Sequence, residues 1–455
     1  MRYSNFGKHL TKSSLRRAYS SGGTVGKPSP SGELLVENAS NVRIITLNRP
    51  KVLNALSLTQ VRELTQMIKA YHDNKMVKAV VLKGEGGRAF CAGGDIRSLY
   101  DNGREDSTRH LTQEFFAEEY NLNQLLKFSH VPIISMLNGI TMGGGVGLSV
   151  HGEFRVATEN TMFAMPETGI GFFPDVGGSY FLPRCRMRGI GNFLGLTGER
   201  LKGADCVHAG VATHYIGNRD IDAVISRVQD VVGTSMSERN FAEDYVRIEE
   251  MLSEEFHTNK TDTPFYRNMK SIADAFVPKK MTMESIIHKL RDAERRLKET
   301  PDEDQWATRA LKSIHRASPT ALKVTLKLLQ NGHKITRRSG PEAEATMMNR
   351  CMVREHYVAQ AFMESHDFFE GVRAVVVDKD QSPSWSPAKL EDVQDGFVDS
   401  FFQKKGKVPL PLFADPIASD ESEDGTLVST QMASDYVKFG GEIAAIRKRN
   451  SREDY

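Results

Sequence analysis

The first part of the chain alternates short β-branched runs with an amphipathic helical pattern. Residues 42–47 (VRIITL), 77–84 (VKAVVLKG) and 131–139 (VPIISMLNG) are apolar runs of strand length, and the last is entered through a proline. Residues 57–71 repeat apolar positions at helical intervals, and a serine three residues before Gln60 has the spacing of a capping box. Strands that alternate with helices predict an α/β fold built on parallel units.

Beyond about residue 190 the pattern becomes mostly helical. The segments MESIIHKLRDAERRLKE and PTALKVTLKLLQNG space their apolar residues as amphipathic helices do. Residues 415–430 are acidic and rich in serine, which is typical of a mobile linker. We therefore divide the chain into a leader and disordered lead-in (1–32), an α/β core with the candidate site (33–190), a helical region packed on that core (191–410) and a linker with a basic tail (411–455).

Composition and charge exclude several classes of protein. The net charge of +2 gives no overall field that would favour a nucleic-acid or membrane partner. No apolar run approaches the roughly 20 residues that span a bilayer. The sequence lacks nucleotide-binding fingerprints, metal-ligand motifs and a serine nucleophile elbow, so we expect no metal site. The four cysteines are scattered, which favours a reducing compartment: Cys91, Cys185, Cys206 and Cys351.

The amino terminus has the composition of a mitochondrial transit peptide. Residues 1–23 contain five lysines and arginines together with serines and threonine, and no acid occurs before Glu33. A secretory signal would need a continuous apolar segment, which is absent here. The motif RRAYSS predicts cleavage near Tyr19 to Ser21 and a location in the mitochondrial matrix, and the alternative is a disordered basic tail.

Two glycine-rich loops follow predicted strands. They are residues 90–100 (FCAGGDIRSLY) and 138–152 (NGITMGGGVGLSVHG), and the second opens a helical segment. Glycines let a ligand approach the backbone, and a helix start aims free N–H groups at that ligand. A pair of such loops can supply two donors to one oxygen, which is what an oxyanion hole requires. Close packing of a helix on a strand is the alternative explanation for either loop alone.

Three acids lie in otherwise apolar surroundings. Glu167 and Asp175 interrupt an apolar, glycine-rich segment at residues 163–184. Glu119 shares a helical stripe with Phe115 and other apolar residues, whereas its neighbour Glu118 falls on a polar face. Since an unpaired buried carboxylate costs several kcal/mol, an inward acid requires a partner or a function, and a structural salt bridge is the alternative for Glu119.

The glycine loops and acids together resemble a known family. The segments NRPKVLNALS, FCAGGDI, NGITMGGGVG and MPETGIGFFPDVGG, in this order, are similar to the enoyl-CoA hydratase/isomerase (crotonase) superfamily, and the likeness extends over residues 33–390. The resemblance implies a spiral of repeated ββα units with a helical carboxy-terminal region. It also implies an acyl-CoA substrate whose thioester oxygen is bound by the N–H groups of Gly94 and Gly144. No cofactor is implied, because CoA is part of the substrate.

The acids distinguish between the reactions of this superfamily. Hydratases use two glutamates, whose positions correspond here to Gly147 and Glu167, so one of the two is missing. Hydrolase members carry acids at the positions of Glu119, Glu167 and Asp175, and all three are present. By this resemblance, Glu167 attacks the carbonyl or activates water, Asp175 manages the proton, and Glu119 positions the substrate. Two nearby acids in an apolar pocket should titrate as a coupled pair.

The resemblance implies an acyl-CoA thioester hydrolase of valine degradation. Its substrate would be 3-hydroxyisobutyryl-CoA, with 3-hydroxypropionyl-CoA as a second. An enoyl-CoA hydratase or isomerase is the enzymatic alternative. A further alternative is a subunit of the mitochondrial ribosomal small subunit, because relatives of this family occur there and the basic end RKRN could make contacts. We expect no membrane partner and no direct contact with nucleic acid.

Overall fold

The β-branched runs form strands in the computed structural model, which describes residues 24–233, 241–255, 262–277, 281–299, 304–335, 341–403, 438, 442, 443 and 446. In chain order the strands are β1 (Thr24–Pro28), β2 (Leu34–Ala39), β3 (Val42–Leu47), β4 (Ala79–Gly84), β5 (Ala89–Cys91), β6 (Ile133–Leu137), β7 (Ile140–Met142), β8 (Phe154–Thr158), β9 (Met162–Ala164), β10 (Leu201–Lys202) and β11 (His214–Ile216).

The strands build two sheets. The larger sheet has the order β1-β2-β3-β4-β6-β8-β11, antiparallel from β1 to β3 and parallel from β3 onward. The smaller sheet has the order β10-β9-β7-β5, and β9, β7 and β5 run parallel. Parallel neighbours bring their carboxyl ends to one edge, so the loops after β5 and β7 lie side by side.

Helices connect and cover the sheets. They are α1 (Leu58–Asp73), α2 (Ile96–Arg104), α3 (Arg109–Lys127), α4 (Gly144–Ser149), α5 (Gly178–Phe181), α6 (Ile190–Thr197), α7 (Asp205–Ala209), α8 (Ile221–Gly233), α9 (Phe241–Glu255), α10 (Pro264–Ala275), α11 (Met283–Lys298), α12 (Trp306–Arg316), α13 (Pro319–Ile335), α14 (Pro341–Met363), α15 (His366–Val372) and α16 (Asp395–Ser400). A π-helical turn spans Arg373–Val377, and 3₁₀ turns span Pro50–Val52, Glu167–Ile170, Leu182–Arg184, Asn218–Asp220 and Leu390–Asp392.

The larger sheet separates two apolar cores. On β3, Val42 and Ile44 pack in one cluster with α8 and α9, whereas Ile45 and Leu47 pack in the other, which contains most of the remaining helices. This alternation is what a strand buried on both faces produces. Among the described residues, no helix is both long enough and apolar enough to cross a membrane.

Two predicted boundaries differ from the structure. We expected a disordered lead-in through residue 32, but residues Thr24–Pro28 form a strand that pairs with β2. The core continues past residue 190, because β10 and β11 add to the two sheets. These strands have only two and three residues, too few to show a periodic pattern. The predicted transit peptide, cleavage site, acidic linker and RKRN end lie outside the described residues.

Candidate active site

The two glycine loops meet at the carboxyl ends of β5 and β7. Gly94 follows β5, and Gly144 is the first residue of α4, which begins directly after β7. A Cβ atom placed on Gly144 would lie 3.1 Å from the backbone nitrogen of Gly94. Among the described residues, neither of these two N–H groups donates to a backbone carbonyl. The geometry therefore presents two backbone donors to one small space.

The neighbouring glycine has a different role. A Cβ atom on Gly145 would overlap the carbonyl oxygen of Cys91. Close packing of helix on strand, the alternative explanation for these loops, therefore accounts for Gly145. It does not account for the two donors.

Asn54 stabilises, through hydrogen bonds, the strand that leads to Gly94. Its side-chain nitrogen donates to the carbonyl oxygens of Ala89, at 2.9 Å, and of Glu85, at 3.0 Å. Its backbone has φ 57°, in the left-handed region that asparagine tolerates better than most residues. Asn54 was not among the predicted site residues, although it lies within the motif NRPKVLNALS.

Two of the three predicted acids, Glu119 and Glu167, lie against the loop that carries Gly144, and the third, Asp175, is close enough to raise the pKa of both. Glu119 on α3 is 2 % exposed, Glu167 at the start of a 3₁₀ turn is 7 % exposed, and Asp175 before α5 is 5 % exposed. A Cβ on Gly144 would overlap Oε1 of Glu119, and one on Gly143 would lie 3.2 Å from Oε1 of Glu167. Oε1 of Glu119 and Oε2 of Glu167 have no hydrogen-bond partner within the described chain. A salt bridge therefore does not explain Glu119.

Burial raises the pKa of all three acids, and repulsion by neighbouring carboxylates adds to it at Glu119 and Glu167. Burial is the main cause at Glu119 and Glu167, and the charge of Asp175 adds to it at both. Burial raises the pKa of Asp175 to about 7, although a hydrogen bond from the Tyr120 hydroxyl, 2.9 Å from Oδ2, acts in the opposite direction. The site can therefore hold and release a proton near neutral pH.

The position of the missing hydratase glutamate is closed to a side chain. A Cβ on Gly147 would lie 2.7 Å from Cβ of Val176 and 2.8 Å from the side-chain nitrogen of Asn123. Both distances are shorter than ordinary van der Waals contacts, so glycine is required by packing. Consequently a second carboxylate can reach the site only from elsewhere in the fold, as Asp175 does.

The helix that carries Glu119 separates inward from outward acids as predicted. Glu118 forms an exposed ion pair, with its carboxylate oxygens 2.6–3.0 Å from the Arg62 guanidinium. Sequence reasoning missed Tyr120, which is fully buried and contacts Asp175, because its position is off the single apolar stripe that we used. The helix is in fact buried over most of its circumference.

Two further observations concern the cysteines and the side chains that could bind a metal ion. All four cysteines are free and buried. Within the part of the chain that the structure describes, no group of three or more His, Cys, Asp or Glu side chains is arranged to hold a metal ion.

Comparison with known proteins identifies the family. The family model for enoyl-CoA hydratase/isomerase matches residues 42–402. This chain belongs to that family. Its core is thus a crotonase fold, as the resemblance implied, and two solved structures of similar proteins agree. A carnitinyl-CoA dehydratase from Mycobacterium thermoresistibile is 32 % identical, with a TM-score of 0.68 over 82 % of this chain and 97 % of that one. An enoyl-CoA hydratase from Rhodobacter sphaeroides is 30 % identical, with a TM-score of 0.67 over 81 % and 97 %.

Several curated members of the enoyl-CoA hydratase/isomerase family are more similar in sequence. The 3-hydroxyisobutyryl-CoA hydrolase of Gallus gallus, described as mitochondrial, is 41 % identical over 84 % of this chain and 91 % of its own length. The proteins of the same name from Mus musculus and Homo sapiens are 41 % and 40 % identical, each over 83 % of this chain and 90 % of their own.

Proposed function

We propose that this chain hydrolyses the thioester of 3-hydroxyisobutyryl-CoA to the free hydroxy acid and CoA, with 3-hydroxypropionyl-CoA as a second substrate. The observation that carries the proposal is the pair Glu167 and Asp175 near two backbone donors that have no backbone partner among the described residues, with Gly147 closed to the glutamate of hydratases. The relatives named 3-hydroxyisobutyryl-CoA hydrolase support the same reaction. Their names also support a mitochondrial location, and we infer the matrix from the basic leader.

In this mechanism the thioester oxygen accepts hydrogen bonds from the N–H groups of Gly94 and Gly144. Both bonds strengthen as negative charge develops on that oxygen in the tetrahedral intermediate. Glu119 lies against the loop that carries Gly144 and positions the substrate by contact near the β-hydroxyl of its acyl group. CoA enters as part of the substrate, and the residues named here perform the chemistry without a cofactor.

Glu167 acts at the carbonyl carbon, and Asp175 supplies the proton of the leaving thiol. Glu167 either attacks the carbon to form a mixed anhydride, which water then hydrolyses, or removes a proton from the attacking water. The C–S bond breaks, and the leaving thiolate takes its proton from Asp175, whose pKa of about 7 suits that transfer near neutral pH. Hydroxylamine distinguishes the two routes, because only an anhydride would leave a hydroxamate on the peptide that contains Glu167.

The test compares two reactions of one enzyme preparation. Purified full-length protein should release free thiol from 3-hydroxyisobutyryl-CoA much faster than it hydrates crotonyl-CoA, which is followed by loss of enoyl absorbance. Hydration needs one group to deliver water to the β-carbon and another to handle the proton at the α-carbon, and Gly147 has no side chain to share that work with Glu167. Efficient hydration without thiol release would refute the hydrolase and favour the hydratase alternative. Association with the mitochondrial ribosome stays a separate hypothesis, which co-sedimentation with ribosomal particles tests.

A further inference from the structure

The turn that carries Asp175 has a strained backbone. Val176, the next residue, has φ 50°, in the left-handed region. A β-branched residue is a genuine outlier there, and such conformations persist only where the surrounding structure fixes them. Val176 is fully buried, so its neighbours in the fold supply that constraint.

His151 holds this turn from the side of the oxyanion loop. Its Nε2 lies 2.7 Å from the carbonyl oxygen of Val176, and because a carbonyl only accepts, Nε2 carries the proton. Burial lowers the pKa of the ring to about 3, so His151 is a neutral donor at physiological pH. It lies just beyond the end of α4, whose first residue is Gly144. Residues 144–151 thus connect the oxyanion donor of Gly144 to Val176, the residue that follows Asp175.

Glu355, on α14, holds the same turn from the carboxy-terminal region. Its Oε2 accepts the N–H of Gly177 at 2.7 Å, and its Oε1 accepts the N–H and hydroxyl of Ser179 at 2.8 and 2.5 Å. Burial raises the pKa of Glu355, whereas these three donors favour its charged form. A Cβ on Gly177 would lie 2.6 Å from Cε1 of His151, so the two contacts belong to one cluster.

We propose that His151 and Glu355 are positioning residues, which fix the Val176 turn and thereby hold the carboxylate of Asp175 at a set distance from the oxyanion donors. Neither residue touches the reacting atoms; both act through Asp175. The inference rests on the proposed function of Asp175 in proton transfer. Since a displacement of about 1 Å can cost roughly 10²-fold in rate, loss of either contact should appear in turnover rather than in binding.

The first test uses two substitutions of His151. His151→Gln keeps an N–H donor near the position of Nε2, whereas His151→Leu removes it and keeps the site apolar. We expect His151→Leu to lower kcat by roughly 10- to 100-fold with little change in KM, and His151→Gln to recover most of that loss. Equal losses in the two variants, or a rise in KM at unchanged kcat, would overturn the proposal.

A matched control separates positioning from stability. The side-chain nitrogen of buried Asn192 also donates to a buried carbonyl, that of Phe276, at 2.9 Å. Asn192→Leu should lower the melting temperature without lowering kcat, measured well below that temperature. If its kcat falls as far as that of His151→Leu, the effect is general destabilisation and the proposal is wrong.

Glu355→Gln provides an independent variant should His151→Leu not fold. The substitution keeps the shape of the side chain but replaces one accepting oxygen with an amide that cannot accept. We expect kcat to fall by roughly tenfold or more at nearly constant KM, because one anchor of the turn is lost. An unchanged kcat overturns the proposal. All variants are measured with whichever acyl-CoA the wild-type protein hydrolyses, so a wrong substrate and a wrong positioning role give different results.

Discussion

Among single side chains, the buried acids are placed for reactivity at the expense of stability. Burial raises the pKa of Glu119, Glu167 and Asp175, and the charge of Asp175 raises it further at the two glutamates. No basic side chain among the described residues is a cause that lowers the pKa of any of the three. A group whose pKa is raised on folding binds its proton more tightly in the folded state than in the unfolded state. Folding stability therefore falls as the pH rises from the pKa of the unfolded state to the pKa of the folded state.

Asp175→Asn should show this cost directly. The pKa of Asp175 rises from an ordinary 3.8 to about 7, so its destabilising effect develops across that range and is complete above pH 7. The variant cannot ionise, and we expect its melting temperature to exceed that of the wild type by more at pH 8 than at pH 5. Its hydrolysis should fall by about 10²-fold or more. A stability difference that is the same at both pH values would contradict this account.

Glu118 and Glu119 offer a matched pair of adjacent substitutions. Glu119→Gln removes the charge of a buried acid beside Gly144, and we expect a large loss in kcat/KM for the hydroxyacyl thioester. Glu118→Gln alters an exposed ion pair with Arg62, which contributes at most about 1 kcal/mol, so turnover should stay near wild type. Steady-state thiol release measures both. Equal losses would show that the apolar stripe on α3 was misinterpreted.

Sequence reasoning reached the residues with a local signal and missed those without one. Glu119 was found by its helical spacing, and the glycine loops by their position after strands. Tyr120, His151 and Glu355 contact the Asp175 turn from 55, 25 and 178 residues away in the chain, counted to Asp175, Val176 and Gly177 respectively. No periodicity or spacing rule connects positions so far apart, so only the folded chain shows them together.

At the level of elements, α4 depends on glycine at residue 147, where the resemblance places a hydratase glutamate. Gly147→Ala would place a methyl group 2.7 Å from Cβ of Val176, and overpacking of this kind typically costs about 1–3 kcal/mol. We expect a loss of stability in that range together with reduced hydrolysis. Gly396→Ala is the control, because a Cβ there meets no atom within 4 Å. Chemical denaturation measures both, and a fully stable Gly147→Ala would disprove the steric argument.

Longer elements were easier to predict than short ones. The strand Val42–Leu47 and the helix Leu58–Asp73, with its Ser57 capping box, appear where their patterns placed them. The boundary at residue 190 was wrong because the late strands are too short to carry a period. Their place in the sheets is decided by pairing with β8 and β9, which is a tertiary effect.

For the molecule as a whole, the first strand that the structure describes, Thr24–Pro28, lies close to the predicted processing site. Cleavage between Tyr19 and Ser21 would remove the basic leader and leave the strand at Thr24–Pro28 intact. We therefore expect the native protein to begin within residues 19–21 and to reside in the mitochondrial matrix. Sequencing of its amino terminus after organelle fractionation tests this. An intact Met1 in a cytosolic pool would show that the leader is not a targeting signal.

The contact between Glu355 and the Asp175 turn also bears on when, during synthesis, the site reaches its final arrangement. A chain is synthesised from its amino end, at about 5–20 residues per second. Both glycine loops and all three acids are therefore made long before Glu355, which lies 178 residues beyond Gly177. Until α14 has been made and has docked, the turn lacks one of its anchors. The nascent chain thus holds the chemical groups of the site without their final arrangement, and we expect its rate of hydrolysis to reach the full value only when α14 has docked.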